Sequence, residues 1–288
     1  MGHKEMSDMA EKSKVGHVVV KNVTKVYDPY GVNVHAVDNC SFEIKPGDFM
    51  AMVGPSGCGK TTMLNMIAGF DTVTEGEIIL DGELIASNKK KLMPGPDRMV
   101  VFQLGALFPW RTVIDNVCFG PQVQGKYTNE KKELKEKAMA FLRVAGLEEC
   151  ANDYPMSISS GMQRRVEIVR ALMTDPKILL LDEPFRALDA MTKSVIQRHL
   201  LELYDLTGKT IMLITHDLRE AIFLASKIFV MTTRPGTLKK RIDVDIPRPR
   251  STDVMTSNEF LGYMQELLDA VHEEAVKAFV RGERELAR

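Results

Sequence analysis

Apolar and polar positions follow two rhythms along this chain, and the switches between them predict its elements. "HVVVKNVTKVY" (17–27) and "NCSFEIKPGD" (39–48) alternate with period two, which predicts antiparallel strands and a turn at Pro46-Gly47. "FMAMVG" (49–54) is a short unbroken apolar run, as expected of a strand buried on both faces. "RMVVFQ" (98–103), "KILLLDE" (177–183), "TIMLITH" (210–216) and "KIFVMT" (227–232) repeat that pattern. Helical periodicity fills most of the gaps, over Lys60–Ala68, Gly161–Met173 and Met191–Leu206. Strands alternating with helices imply an α/β fold built on a parallel, helix-covered sheet.

One interval breaks the alternation. From Leu107 to Ser160 the pattern is loop and helix, with a helix at 129–145 that aligns Leu134, Ala138, Phe141, Leu142 and Ala145. Lys131, Lys132, Lys135 and Lys137 form its solvated side, and Gly146 is its stop. A last amphipathic helix near 257–280 aligns Phe260, Met264, Leu267, Val271 and Ala275. The expected organisation is a mobile start (1–15), a main domain (16–250) with a helical subdomain inserted at about 104–165, and a helical extension (251–288).

Composition narrows the class. The 288 residues are 44% hydrophobic and 27% charged, enough to bury a sizeable core. A net charge of −1 provides no basic field, so nucleic acid is not an expected partner. Cys40, Cys58, Cys118 and Cys150 have no metal-ligand spacing and read as buried thiols of a reducing cytosol. The charged start lacks the apolar core of a secretory signal, and Met6 stands where a myristoylation motif needs Ser or Thr. No run approaches the ~18 apolar residues of a membrane span.

Three stretches carry chemistry. "GPSGCGKTT" (54–62) follows a strand, precedes a helix and fits the phosphate-loop pattern through Gly54, Gly59, Lys60 and Thr61. Backbone N–H groups of Gly54, Pro55, Ser56, Gly57, Cys58, Gly59, Lys60, Thr61 and Thr62, so far as they carry one, would wrap a phosphate at the positive end of that helix. Lys60 would neutralise the β/γ oxygens, and the Thr61 hydroxyl is suited to Mg²⁺. Nucleotide at Cys58 would slow its alkylation. "ILLLDEP" (178–184) places Asp182 at a strand end, suited to hold Mg²⁺ through water, with Glu183 next to it as the base for an attacking water. "SISSGMQRR" (157–165) has the serines of a helix cap, and helix starts also bind anions. The single Asn-Lys, in "NKKK" (88–91), lacks the acid that guanine readout requires, so adenine is the expected base.

The order "GPSGCGKTT", "VVFQ", "SISSGMQRR", "ILLLDEP", "ALDA" (187–190), "LITHD" resembles the ATP-binding subunits of ABC transporters over about residues 15 to 245. The resemblance implies a P-loop NTPase (RecA-like) core with an antiparallel β subdomain and an inserted helical subdomain. It implies ATP hydrolysis with Mg²⁺ held by Thr61, Gln103 and Asp182, and catalysis by Glu183, His216, Gln103 and Lys60. Tyr27, with Tyr30 as its neighbour, resembles the aromatic that stacks on adenine. Ser159, Ser160, Gly161 and Met162 resemble the signature that reaches the γ-phosphate of a second subunit, and Asp189 the acid at that dimer interface. The segments 95–120 and 234–250 are similar to importer ATPases for nitrate, sulfonates and taurine.

The implied partners are a second ATPase subunit, identical or not, permease subunits in the membrane and, indirectly, an external solute-binding protein. The chain would sit in the cytoplasm, peripheral on the membrane's inner face. Phe108, Pro109, Trp110 and Arg111 lie where the resembled family docks its permease. Two positions depart from the family pattern. Ser160 and Arg186 both stand where glycine is usual, and a Cβ at 160 is expected to cost of order 1 kcal/mol if the backbone there is left-handed. They leave a second reading open, an ATP-binding subunit with weakened hydrolysis that acts as a regulatory or paired partner. A soluble ABC ATPase of DNA repair or translation would carry tandem cassettes or a long coiled-coil insert, and this chain has neither.

Overall fold

A computed structural model of the protein describes residues 15–28, 31–90, 93–126 and 131–286. The expected mobile start, apart from residue 15, and Tyr30 fall outside the described residues. In chain order the strands and helices are β1 (Val18–Tyr27), β2 (Val34–Ile44), β3 (Phe49–Val53), α1 (Lys60–Ala68), β4 (Glu75–Leu80), β5 (Glu83–Ser87), β6 (Arg98–Val101), α2 (Val113–Val123), α3 (Lys131–Val144) and α4 (Ser160–Met173). They continue with β7 (Ile178–Asp182), α5 (Ala190–Thr207), β8 (Thr210–Ile214), α6 (Leu218–Leu224), β9 (Lys227–Met231), β10 (Leu238–Asp243) and α7 (Asn258–Leu286).

The chain divides into two compact units. One runs from Pro96 to Lys209; the other holds the described residues up to Gly95 and again from Thr210. In the second unit, β2, β1, β4 and β5 form an antiparallel sheet, in the order given. Beside it runs a ladder in which β3 pairs parallel with both β8 and β9, and β10 adds antiparallel to β9. Every residue of β3 and β8 is buried, as their unbroken apolar runs require. The parallel register sets Met52 opposite Ile214, so the loops after β3 and β8 leave the sheet at the same end.

In the unit Pro96–Lys209, β6 and β7 pair parallel from Arg98↔Ile178 to Val101↔Leu181. Helices α2, α3 and α5 all pack on α4. Leu134, Ala138, Phe141, Leu142 and Ala145 are buried as their spacing predicts, and Lys131, Lys132 and Lys135 are exposed. Gly161 lets α4 approach α5, because a Cβ there would stand 2.3 Å from Thr192 Cγ2.

Several elements escaped the sequence pattern for local reasons. β2 begins at Val34, before the predicted run, and exposed residues at its start hide the alternation. β4 carries Gly76 and two glutamates, while β10 (LKKRID) is an edge strand that needs no second buried face. α2 contains Gly120 and Pro121, and α6 has only seven residues. In α7, Phe260, Leu267 and Ala270 are buried, Met264 and Val271 are half-buried, and Ala275 is exposed, against expectation. Glu274, 1% exposed, takes the inward place instead. Its carboxylate accepts from Thr233 N (3.0 Å), Lys277 Nζ (2.7 Å) and Lys239 Nζ (3.1 Å). Burial pushes that carboxyl up, but these bonds outweigh it and hold it below the usual range.

Candidate nucleotide site

The phosphate loop is built by the turn from β3 into α1. Helix α1 starts behind Gly59, whose φ of 95° is left-handed and which has no side chain to cap the helix. A side chain at 59 is excluded twice, by that φ and by Ala36 O, which would lie 2.6 Å from its Cβ. Residue 59 therefore adds no side chain that would compete with an anion at the helix start. Lys60 is buried (6% exposed), and its Nζ donates to Gly54 O (2.8 Å) and Pro55 O (2.9 Å). Ser56, Gly57 and Thr61 are exposed, while Pro55 and Thr62 are partly so.

Cys58 is fully buried, and Lys60 Nζ lies 3.6 Å from its Sγ. Burial pushes the thiol up, against the opposing ammonium. Slow alkylation of Cys58 is thus expected even without nucleotide. The other three cysteines are also buried and free, as their scattered spacing suggested.

Two more candidates belong to the same unit as the loop. Tyr27 is partly exposed, its hydroxyl bonds Asp71 Oδ2, and Lys25 Nζ stands 4.7 Å from its ring centroid. Burial, then the Asp71 bond, push the phenol up to about 12. Asp71 itself is pushed up by burial, but bonds from Lys25 and Tyr27 win and leave it low. The ring is thereby fixed in orientation with a cation beside it. His216, exposed, stands two residues past the end of β8, and Asp217 caps α6 by accepting from Arg219 N (2.9 Å) and Glu220 N (3.3 Å).

The unit Pro96–Lys209 holds the remaining candidates. Asp182 ends β7 and is buried; Glu183 follows with a left-handed φ of 45°. Arg186 N donates to Glu183 O (3.1 Å), closing a tight turn, and Ala187 is left-handed as well (φ 62°). Two such non-glycine residues mark stored backbone strain of the kind found at working sites. Asp189 is the N-cap of α5, accepting from Met191 N (3.1 Å) and Thr192 N (3.0 Å). Bonding by Thr192 holds its carboxyl below the usual range.

"SISSGMQRR" is a helix start, as read. Ser159 is the N-cap of α4, and its Oγ accepts from Met162 N at 3.3 Å. Ser160 is the first helical residue, exposed and not left-handed, so the expected backbone penalty of its Cβ is absent. Position 186 is not left-handed either.

Gln103 is reached through residues that the sequence reading missed. Arg164 donates to the carbonyls of Phe102 (2.6 Å) and Gln103 (2.6 Å) and pairs with Glu167 at 2.7 Å. Glu167 Oε1 accepts from Ala106 N (2.6 Å), and Arg170 donates to Ala106 O (2.8 Å). Burial pushes Glu167 up, with Arg164 opposing. The signal was present: three charges at i, i+3 and i+6 on a helix that turns this face inward. Asn116, fully buried, holds the next loop, accepting from Phe108 N and donating to the carbonyls of Phe108, Arg111 and Thr112. No local pattern announces such a residue. Trp110, at the tip of that loop, is 72% exposed, with Phe108 5.6 Å away and Phe108 stacked edge-on to Phe119 at 4.6 Å.

A family model described as ABC transporter matches residues 37–186. The chain is similar to a taurine import ATP-binding protein of Rhizobium johnstonii, 45% identical over 76% of this chain and 80% of the relative. It is similar to a nitrate import ATP-binding protein of Synechocystis sp., 38% identical over 87% and 93%. Among solved structures it resembles the dimeric, post-hydrolysis state of an ATP-binding cassette bound to ADP and Pi, at 34% identity and a TM-score of 0.65, over 79% of this chain and 98% of that one.

Proposed function

We infer the function from one premise: the chain belongs to the ABC transporter family of ATP-binding proteins. It is an ABC transporter ATPase, the ATP-binding motor subunit of an importer. Within that class we propose a small anion or organic solute, such as nitrate, a sulfonate or taurine, as the cargo. Taurine and nitrate are what the two relatives' names state. The observation that carries the nucleotide reading is the left-handed Gly59 that opens α1 where no Cβ fits, with Lys60 folded onto the loop beside it.

In this reading the loop Gly54–Thr62 binds the phosphates of ATP and Tyr27 stacks on adenine. Glu183 orients and deprotonates the attacking water, and His216 contacts the γ-phosphate. Lys60 exchanges its two carbonyl partners for phosphate oxygens. The hydroxyl of Thr61, the amide oxygen of Gln103 and the carboxylate of Asp182 are hard oxygen donors, a set that suits Mg²⁺. Bound there, Mg²⁺ would neutralise charge on the β/γ oxygens. Ser159, Ser160, Gly161 and Met162 of a second subunit cap the γ-phosphate, and Asp189 lies at that interface. This gives an ATP sandwich between two subunits, the same or different.

Coupling to transport fits the exposed loop 108–112. An indole 72% exposed on a loop clamped by Asn116 is a rigid aromatic anchor for a permease. Among the described residues no helix is long and apolar enough to cross a membrane. We therefore place the chain on the cytoplasmic face, held by permease subunits, with an external solute-binding protein as an indirect partner. Arg186 favours one variant of this reading, a subunit whose hydrolysis is restrained. Lys60→Ala tests the core: ATP affinity measured by titration calorimetry should fall at least about tenfold, the value of one charge-assisted contact. Unchanged affinity would remove the phosphate-loop assignment.

A further inference from the structure

Two groups meet at Arg186, the Gln103 amide from a distant segment and the Glu183 carboxylate three residues back. With the Gln103 amide turned so that Oε1 faces the guanidinium, both Arg186 Nη1 and Nε donate to that oxygen, Nε at 3.0 Å. The opposite orientation would set amide hydrogens against guanidinium hydrogens, so hydrogen bonding decides the assignment. Nη1 also lies 3.4 Å from Glu183 Oε2. That is a charge contact rather than a strong hydrogen bond, so the firm grip is on Gln103. The Gln103 carbonyl is pinned separately by Arg164, which leaves the Gln103 side chain as the part able to swing. The tight turn from Glu183 to Arg186 aims the guanidinium, and Arg186 needs no glycine-like backbone to do so.

We propose that Arg186 is a positioning residue that latches the Gln103 side chain beside Glu183, and that Gln103 must leave this latch before its oxygen serves Mg-ATP. The proposal rests on the ATPase reading above. An amide oxygen has two lone pairs, and the guanidinium fork engages both. A divalent cation needs one of them and is repelled by the guanidinium already there. The latch thus opposes engagement of the Gln103 loop until the nucleotide and its metal displace it. It acts on metal demand and turnover, leaving the affinity of the phosphate loop for ATP almost untouched.

The full-length chain, its Arg186→Gly and Arg186→Lys variants, and Mg²⁺ titrations of ATPase at saturating ATP test this directly. Arg186→Gly should lower the Mg²⁺ midpoint and raise kcat by about threefold to tenfold, the range of one net hydrogen bond, with KM for ATP within about twofold. Arg186→Lys should fall between, since an ammonium donates to the oxygen without the Nε fork. A second readout needs no turnover. The Arg186 Nε–H resonance in ¹⁵N NMR should be exchange-protected in the nucleotide-free chain and lose protection with Mg-AMP-PNP. Equal Mg²⁺ midpoints for wild type and Arg186→Gly, or an Nε–H signal unmoved by Mg-AMP-PNP, would overturn the latch and leave the ATPase reading standing. A wild-type chain that binds no ATP would remove both.

Discussion

Two helix starts in this molecule present the same chemistry in opposite states. At α1 the preceding residue is Gly59, left-handed and without a side chain to cap the helix itself. At α4 the preceding residue is Ser159, extended, and its own Oγ takes the N–H of Met162 at 3.3 Å. An uncapped start sacrifices about 1 kcal/mol of helix stability and keeps its donors for a ligand. A serine-capped start is satisfied by itself, and its long, weak cap bond is easily exchanged for a stronger anion. On the proposed ATP sandwich the difference would be a division of labour, in which α1 holds nucleotide within its own subunit. In the same proposal the start of α4 would engage only when a second subunit brings a phosphate to it.

The comparison can be broken most severely at Gly59. Gly59→Ala puts a Cβ 2.6 Å from Ala36 O on a left-handed backbone, at a cost of about 1–2 kcal/mol from the backbone alone. ATP affinity should fall more than thermal stability does; calorimetric binding and a melting curve on one preparation check this. A variant that binds ATP normally would show that the left-handed start is dispensable.

Gly161→Ala attacks the other start through packing. The new methyl would meet Thr192 Cγ2 at 2.3 Å, and overpacking of this kind costs about 1–3 kcal/mol. Its melting temperature should drop, and Thr192→Ser in the same chain should recover most of the loss by removing the opposing methyl. Failure of the double variant to recover would mean that the glycine serves something other than the α4–α5 approach. Ser160→Gly should do least. Residue 160 is already helical and exposed, so turnover should stay within about twofold and stability within about 0.5–1 kcal/mol, lost to glycine's helix propensity. A large gain in turnover would revive Ser160 as a handicap.

The sequence was most legible where chemistry sits on contiguous residues. "GPSGCGKTT" states its own backbone geometry, since the glycine at 59 and the lysine after it lie in one turn. The runs of β3, β7 and β8 declare their burial on both faces. Legibility failed where a contact joins distant segments. Arg186 could be marked only as an unusual side chain, because nothing local says that a guanidinium at 186 reaches an amide at 103. The spacing of Arg164 and Glu167 marked an inward charged face but not the loop after β6 that it holds, and Glu274 stands inward where helical spacing favoured Ala275. The worry over Ser160 came from reading a glycine position as a left-handed one. In the structure the residue simply begins a helix, and the glycine that matters there is Gly161, for its missing Cβ.

The division of labour between the two helix starts meets its most direct test in the mass of Glu183→Gln, a 32.3 kDa chain in its unaltered form, measured by light scattering with and without Mg-ATP. Removing the base should leave ATP bound and uncleaved, so that α1 of one subunit and the start of α4 of another stay joined across it. The account predicts monomer mass without nucleotide and a doubled mass with it. A chain that binds ATP and keeps the monomer mass would contradict the sandwich and the role assigned to the start of α4.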